Sequence, residues 1–152
     1  DARDIQLDVV DPYLEPLIEG LLRLVEKYSN VFKDVNKQAV NEMIGLMRNW
    51  NATFEKESRP ALIYSVWELL YLNKLMPKFT HLDPHERLQF LAGYFSEQFQ
   101  FAQWRSWIQN ETHINDPLLC QDENNTYPEP ACIYHLVQAL AETPKYIEKE
   151  IG

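Results

Sequence analysis

Glycine is scarce in this sequence, and the scarcity limits the folds that are open to it. Only four of the 152 residues are glycine, whereas an average protein contains about 7%. Tight β-turns rely on glycine because it adopts positive φ angles without steric cost. The sequence therefore predicts a mainly α fold with little or no sheet. Hydrophobic residues make up 45% of the chain, which is enough to build a buried core.

Apolar residues recur at helical spacing in five stretches, most of which begin with a capping residue. The expected helices cover residues 11–25, 36–49, 58–75, 83–107 and 131–142. Residues 5–10 fit either a short helix or an extended lead-in, so five to six helices are expected. The helix at 58–75 is apolar on more than one face, which favours it as the central, most buried helix. Thr143-Pro144 is a candidate break after the last helix.

Residues 110–130 are polar and contain prolines, a composition that predicts a long loop. One cysteine lies within this stretch and the other follows it closely. We expect a disulfide between Cys120 and Cys132. Closing a loop of about a dozen residues would stabilise the fold by roughly 3 kcal/mol. Two alternatives remain open from the residues alone. One is a pair of free thiols, and the other is a metal site of Cys120, Cys132 and His135, although this lacks the CxxC pairing of zinc sites.

Three N-x-[ST] sequons are candidate N-glycosylation sites: Asn51, Asn110 and Asn124. With the cysteine pair, they favour a secreted or vesicular, lysosome-like protein that carries N-glycans. The formal net charge of −9 comes from 14 basic and 23 acidic residues. This balance argues against nucleic acid as a partner, because such binding needs clustered Lys and Arg. No apolar run approaches the ~20 residues of a membrane span.

No active-site or metal motif stands out in the sequence. His81, His85 and Glu86 lack the second histidine of HExxH, since position 89 is Gln89. Asp122-Glu123 lies in the polar loop, and its carboxylates are expected to be solvated. A Ca²⁺ site in the acidic stretch 106–144 is a weaker alternative to an acidic surface. We therefore predict no catalytic and no metal-binding residue.

Aromatic side chains are concentrated in the fourth predicted helix. Spacing of this kind is typical of a core, although a hydrophobic ligand pocket or an interface with a partner polypeptide also fits. The set comprises Phe90, Tyr94, Phe95, Phe99, Phe101, Trp104 and Trp107.

Three segments follow one another in an order known from one enzyme family. The first holds Gln6 and Asp8 ahead of a helix with a central proline. The second holds the signature residues Trp50, Asn51, Ser58, Tyr64 and Trp67, and the third holds Cys120 and Cys132. Together they cover nearly the whole chain and resemble the penicillin acylase (penicillin amidase) family of N-terminal-nucleophile hydrolases. Ala52 departs from the family's glycine after Trp-Asn. The resemblance implies that this turn is buried, which argues against a glycan on Asn51.

The resemblance implies that residues 1–152 are a single helical region, a processed fragment of a larger β subunit. It would pack against sheet-bearing chains of the same precursor in an αββα enzyme that cleaves an N-acyl amide. The family's nucleophile is the first residue of the β chain and precedes these segments, so no catalytic residue is carried over. The family's Ca²⁺ ligands also lie outside them, so no cofactor is expected here. The competing hypothesis is a stand-alone or inactive helical binding or structural glycoprotein.

Overall fold

The computed structural model describes residues 14–48, 50, 58–75, 83, 85–86, 97–109, 120, 122 and 124–151. These residues form five α-helices and a final π-helical turn, with no strand among them. The helices are α1 Leu14–Ser29, α2 Lys37–Met47, α3 Arg59–Leu75, α4 Glu97–Gln109 and α5 Ala131–Tyr146, and the π turn is Ile147–Ile151. The predicted mainly α fold is confirmed. None of the described helices is long and apolar enough to cross a membrane.

Polar side chains cap α2 and α3 at Asn36 and Ser58, the two residues at which the sequence predicts these helices to begin. The side chain of Asn36 accepts the Ala39 N–H at 3.1 Å. Ser58 accepts twice: its Oγ bonds the Ala61 N–H at 3.3 Å and its carbonyl bonds the Leu62 N–H at 3.1 Å. Each cap satisfies backbone donors that have no partner within the first turn.

The predicted cap of the fourth helix also forms its hydrogen bond. The Glu86 N–H donates to Oδ1 of Asp83 at 2.9 Å. The side-chain hydrogen bond with Glu86, followed by that backbone bond, holds the pKa of Asp83 below its usual value. The expected helix at 83–107 is described from Glu97 onward, as α4. The start of the first helix, Asp11-Pro12, lies outside the described residues.

Helix α5 occupies the centre of the fold, and the expectation that α3 would be central is wrong. Eleven of the sixteen residues of α5 are buried, against seven of the seventeen in α3. The most extensive helix pair is α3 with α5, and α1 and α2 also pack on α5. The buried face of α5 includes small and polar residues as well as large apolar ones. A sequence pattern based on large apolar side chains alone therefore underestimates how deeply α5 is buried.

Pro144 does not break α5, contrary to the expectation for Thr143-Pro144. The helix continues to Tyr146 and then widens into the π turn, where the Ile147 N–H reaches the carbonyls of Thr143 and Pro144. Pro144 removes only one backbone donor. The fully buried hydroxyl of Thr143 adds a bond of 2.8 Å to the Ala139 carbonyl. Packing of the preceding turns keeps the helix intact.

Helices α1 and α4 approach each other closely at a glycine. A Cβ placed on Gly20 would lie 3.1 Å from two methyl carbons of Ile108. That distance is tighter than ordinary van der Waals contact, so the lack of a side chain at position 20 sets the separation of the two helices.

Candidate functional site

The described signature residues meet in a buried aromatic cluster rather than in an open cleft. Trp50, Tyr64 and Trp67 are 1–8% exposed. The rings of Trp50 and Tyr64 lie 5.6 Å apart, and Tyr64 meets Trp104 edge to face at 6.2 Å. Trp67 stacks on Trp104 at 6.4 Å. These spacings suit favourable ring pairs, so the signature builds the core between α3 and α4.

The aromatic residues of α4 extend the same cluster. Tyr71 of α3 lies 6.2 Å from Trp104 and 6.3 Å from Trp107, measured between ring centroids. Trp104 and Trp107 are buried, as the core interpretation predicts for this set. Three members of the set, Phe90, Tyr94 and Phe95, lie outside the described residues, as do the side chains of Phe99 and Phe101.

A long-range hydrogen bond joins the cluster to the central helix. The indole N–H of Trp67 donates to the carbonyl of Leu136 at 2.9 Å, in a fully buried position. Ser58, another signature residue, caps α3. The remaining signature residues, Gln6, Asp8 and Asn51, lie outside the described residues. Every described member of the signature thus has a folding role.

The predicted disulfide between Cys120 and Cys132 is confirmed, with the Cα atoms 4.8 Å apart. The free-thiol and metal-site alternatives are wrong, because both sulfurs are consumed in the bond. His135, the third member of the rejected metal site, is 5% exposed. It packs edge to face against the ring of Tyr127 at 4.6 Å. The disulfide and this ring contact together hold the loop on α5.

The described part of the loop, residues 124–130, is shaped by hydrogen bonds to Asp122. The backbone carbonyl of Asp122 accepts the Asn125 N–H at 3.0 Å. The side-chain Oδ2 of the same residue accepts the Tyr127 N–H at 2.6 Å. Asn125 has φ +49°, a left-handed conformation that asparagine tolerates. The Glu129-Pro130 peptide is cis. The Asp122 carboxylate is therefore a turn-forming group and not a free acid or base.

A second long-range contact, which local sequence patterns do not predict, ties α5 to the α1–α2 connection. The hydroxyl of Tyr134 donates to Oδ2 of Asp34, and Nε2 of Gln138 donates to the Tyr134 oxygen at 2.8 Å. Burial, followed by the bond to Asp34, raises the pKa of Tyr134 above its usual value. Phe32 packs edge to face on the Tyr134 ring at 5.2 Å.

A cavity of about 410 Å³ lies between α1 and the end of α2. Its apolar lining includes Ile18, Leu22, Met47 and the signature residue Trp50, and an ion pair of Glu26 with Arg48 at 3.2 Å lies beside them. The remaining described lining residues are Glu15, Glu19 and Arg23. Among the described lining residues, carboxylates and guanidiniums supply the charge, and none offers a hydroxyl or thiol nucleophile.

The described residues contain no group of three or more His, Cys, Asp or Glu side chains that could hold a metal ion. His85, one of the histidines considered above, is exposed. His81, Gln89 and Glu123 lie outside the described residues, and so do two of the three sequon asparagines, Asn51 and Asn110. Asn124 is described and exposed.

Comparison with known proteins identifies the whole chain with one family. A family model described as penicillin amidase matches residues 1–152, which is every residue of the sequence. Searches of curated proteins and of solved structures gave no match.

Proposed function

The chain belongs to the penicillin amidase family of N-terminal-nucleophile hydrolases, and we propose that it forms the non-catalytic helical part of an amidohydrolase that cleaves an N-acyl amide. The family match over residues 1–152 carries this proposal. The burial of Trp50, Tyr64 and Trp67 supports the non-catalytic role, because side chains enclosed in the folded core are not accessible to substrate.

The reaction would take place on residues supplied by another chain of the same precursor. In this family, the nucleophile is the first residue of the β chain and uses its own α-amine as the base. The nucleophile attacks the amide carbonyl, donors of an oxyanion hole stabilise the tetrahedral intermediate, and the amine leaves. Water then hydrolyses the acyl-enzyme and releases the acid. The helical region would support the chain that holds these groups.

We also propose that the assembly is secreted or resides in a vesicular, lysosome-like compartment. The Cys120–Cys132 bond supports this location, because structural disulfides persist in oxidising compartments and are rare in the cytosol. Any Ca²⁺ bound by the assembly would use ligands from its other chains.

The test is to purify the native assembly and determine the intact mass and N-terminal sequence of every polypeptide in it. We expect this chain to co-purify with a polypeptide that begins with Ser, Thr or Cys. The preparation should release the acid from a chromogenic N-acyl amide. A mechanism-based acyl-enzyme trap should label that partner polypeptide and leave residues 1–152 unlabelled.

Two results would contradict the proposal in different ways. A stable monomer without associated chains would favour a stand-alone helical binding module. A partner whose first residue is not Ser, Thr or Cys would favour a catalytically inactive structural glycoprotein with the same fold. A matched control replaces the partner's first residue with Ala in a partner chain produced with that residue already at its N-terminus, which should abolish hydrolysis while every polypeptide of the complex is retained.

A further inference from the structure

We infer that Asn124 carries an N-linked glycan and that the loop holding it lies on the outer, solvent side of the assembly. The inference rests on the proposed secretory location but not on amide hydrolysis. Asn124-Asn125-Thr126 is a sequon in which the middle residue is not proline. Asn124 and Thr126 are both exposed, so the folded chain leaves room for a glycan on the acceptor.

The turn that holds the sequon does not depend on the side chain of Asn124, the residue that would carry the glycan. The hydrogen bonds that hold the described part of this loop use Asp122 as the acceptor and the backbone N–H groups of Asn125 and Tyr127 as donors. The side chain of Asn124 takes no part in them. A glycan on its amide nitrogen would therefore displace no bond on which the turn depends.

The disulfide supports passage of the chain through the secretory compartment in which N-glycans are attached. Cys132 is fully buried and Cys120 is 5% exposed, so the bond belongs to the folded core and not to an incidental surface contact. Disulfides and N-glycans are both acquired in the oxidising secretory route. The disulfide joins the two ends of the stretch that contains Asn124. The same loop would therefore carry both a disulfide and an N-glycan.

The modification needs a donor sugar on a lipid pyrophosphate carrier and a transferase in the membrane of that compartment. The amide nitrogen of Asn124 forms a bond to the anomeric carbon of the oligosaccharide. The bond from that carbon to the pyrophosphate oxygen breaks, and the lipid pyrophosphate leaves with the electron pair. The amide loses one proton, which balances the exchange.

A glycan here would also orient the assembly. A bulky hydrated sugar is incompatible with a packed protein interface, so sheet-bearing chains could not cover the loop at 124–129. This face lies at the start of α5, beside Tyr127 and His135. The partner chains would then bind other faces of the helical region.

The test uses the full precursor expressed in a eukaryotic secretory host, with peptide mapping by mass spectrometry. Peptide-N-glycosidase converts a glycosylated Asn124 to Asp, with a mass gain of about 1 Da relative to an unmodified asparagine. We expect this conversion in the wild type and release of the glycan from the native, undenatured assembly. Asn124→Gln and Thr126→Ala should abolish it.

Two matched variants keep the sequon while changing its other residues. Thr126→Ser keeps the hydroxyl that the sequon needs, and Asn125→Gly keeps the φ of +49°, which glycine readily adopts. Both should remain glycosylated, as read from the mass of the intact glycopeptide, because an Asn-Gly pair can also gain about 1 Da by spontaneous deamidation. An unmodified Asn124 alongside an intact disulfide would overturn the site, and an unmodified Asn124 alongside free thiols would overturn the compartment. A glycan removed only after denaturation would overturn the outward orientation. Hydrolysis of the chromogenic amide is measured separately, and its loss would not affect these outcomes.

Discussion

The indole of Trp67 donates its N–H to the main-chain carbonyl of Leu136 across 69 residues of sequence. The donor lies on α3 and the acceptor in the middle of α5, so one buried bond joins the aromatic cluster to the central helix. Loss of this bond would be costly, because a buried polar group without a hydrogen-bond partner destabilises the fold. Trp67 therefore fixes how α3 and α5 pack, in addition to filling volume.

Replacing Trp67 with Phe should destabilise the fold markedly. The variant loses the donor to Leu136 and part of a ring that stacks on Trp104. We expect the free energy of unfolding to fall by about 2 kcal/mol or more, measured by urea denaturation. Asn73→Ala, at an exposed position of the same helix, is the control and should stay within about 0.5 kcal/mol. Equal effects from the two variants would refute a special role for Trp67.

Two glycine-to-alanine substitutions should have opposite effects. At Gly45, an added Cβ meets nothing within 4 Å, so Ala should stabilise α2 by about 0.5–1 kcal/mol through its higher helix propensity. At Gly20, the added Cβ would press on Ile108 at 3.1 Å, and we expect a net loss. Thermal denaturation should separate the two variants, and adding Ile108→Ala to Gly20→Ala should recover part of that loss. If the two alanine variants proved equally stable, the close approach of α1 and α4 would be disproved.

Removing the disulfide should weaken the fold without changing its secondary structure. In the chain-entropy model, opening a loop of about a dozen residues costs roughly 3 kcal/mol. The Cys120→Ala/Cys132→Ala variant avoids placing a hydroxyl at two buried positions. Its melting temperature should drop, and a reducing agent should lower the melting temperature of the wild type but leave that of the variant unchanged. A wild type that is insensitive to reduction would contradict this account.

The raised pKa of Tyr134 predicts loss of stability in alkaline solution. The folded state binds the phenolic proton more tightly than the unfolded chain, for which the usual pKa is 10.0. The stabilisation is therefore fully present below pH 10 and is lost as the pH rises through the higher folded pKa. The urea midpoint should fall above pH 10 in the wild type, and this decline should be shallower in Tyr134→Phe.

Tyr146→Phe serves as the matched control for the alkaline series. It removes a phenol from the end of α5 but leaves the Tyr134 contacts with Asp34 and Gln138 in place. Its urea midpoint should follow the steep wild-type decline. The assignment to Tyr134 would fail if Tyr146→Phe flattened the decline as much as Tyr134→Phe does.

Local signals in the sequence were sufficient for the helices, their caps and the disulfide. Asn36 and Ser58 cap α2 and α3 because short polar side chains at those positions reach backbone donors three residues ahead. The Cys120–Cys132 bond followed from having two cysteines around one polar loop. These features depend on residues that are close in sequence, where spacing alone carries the information.

Tertiary features escaped prediction because their partners are distant or lack a sequence signal. The acceptor for Trp67 is a backbone carbonyl, which every residue has, so the sequence does not single out Leu136. Apolar periodicity does not indicate the central position of α5, because its buried face includes Ala139, His135 and Thr143. The general rule for proline predicts a break at Pro144, but packing of the preceding turns outweighs one lost donor.

The central position of α5 has a consequence for synthesis of the protein on the ribosome. The helix around which α1, α2 and α3 pack is the last of the five described helices to be translated. Translation at about 5–20 residues per second leaves the apolar faces of the earlier helices without their common partner for several seconds. We therefore expect nascent chains at that point to expose apolar surface that favours aggregation. A product that stops before Ala131 can never close its core.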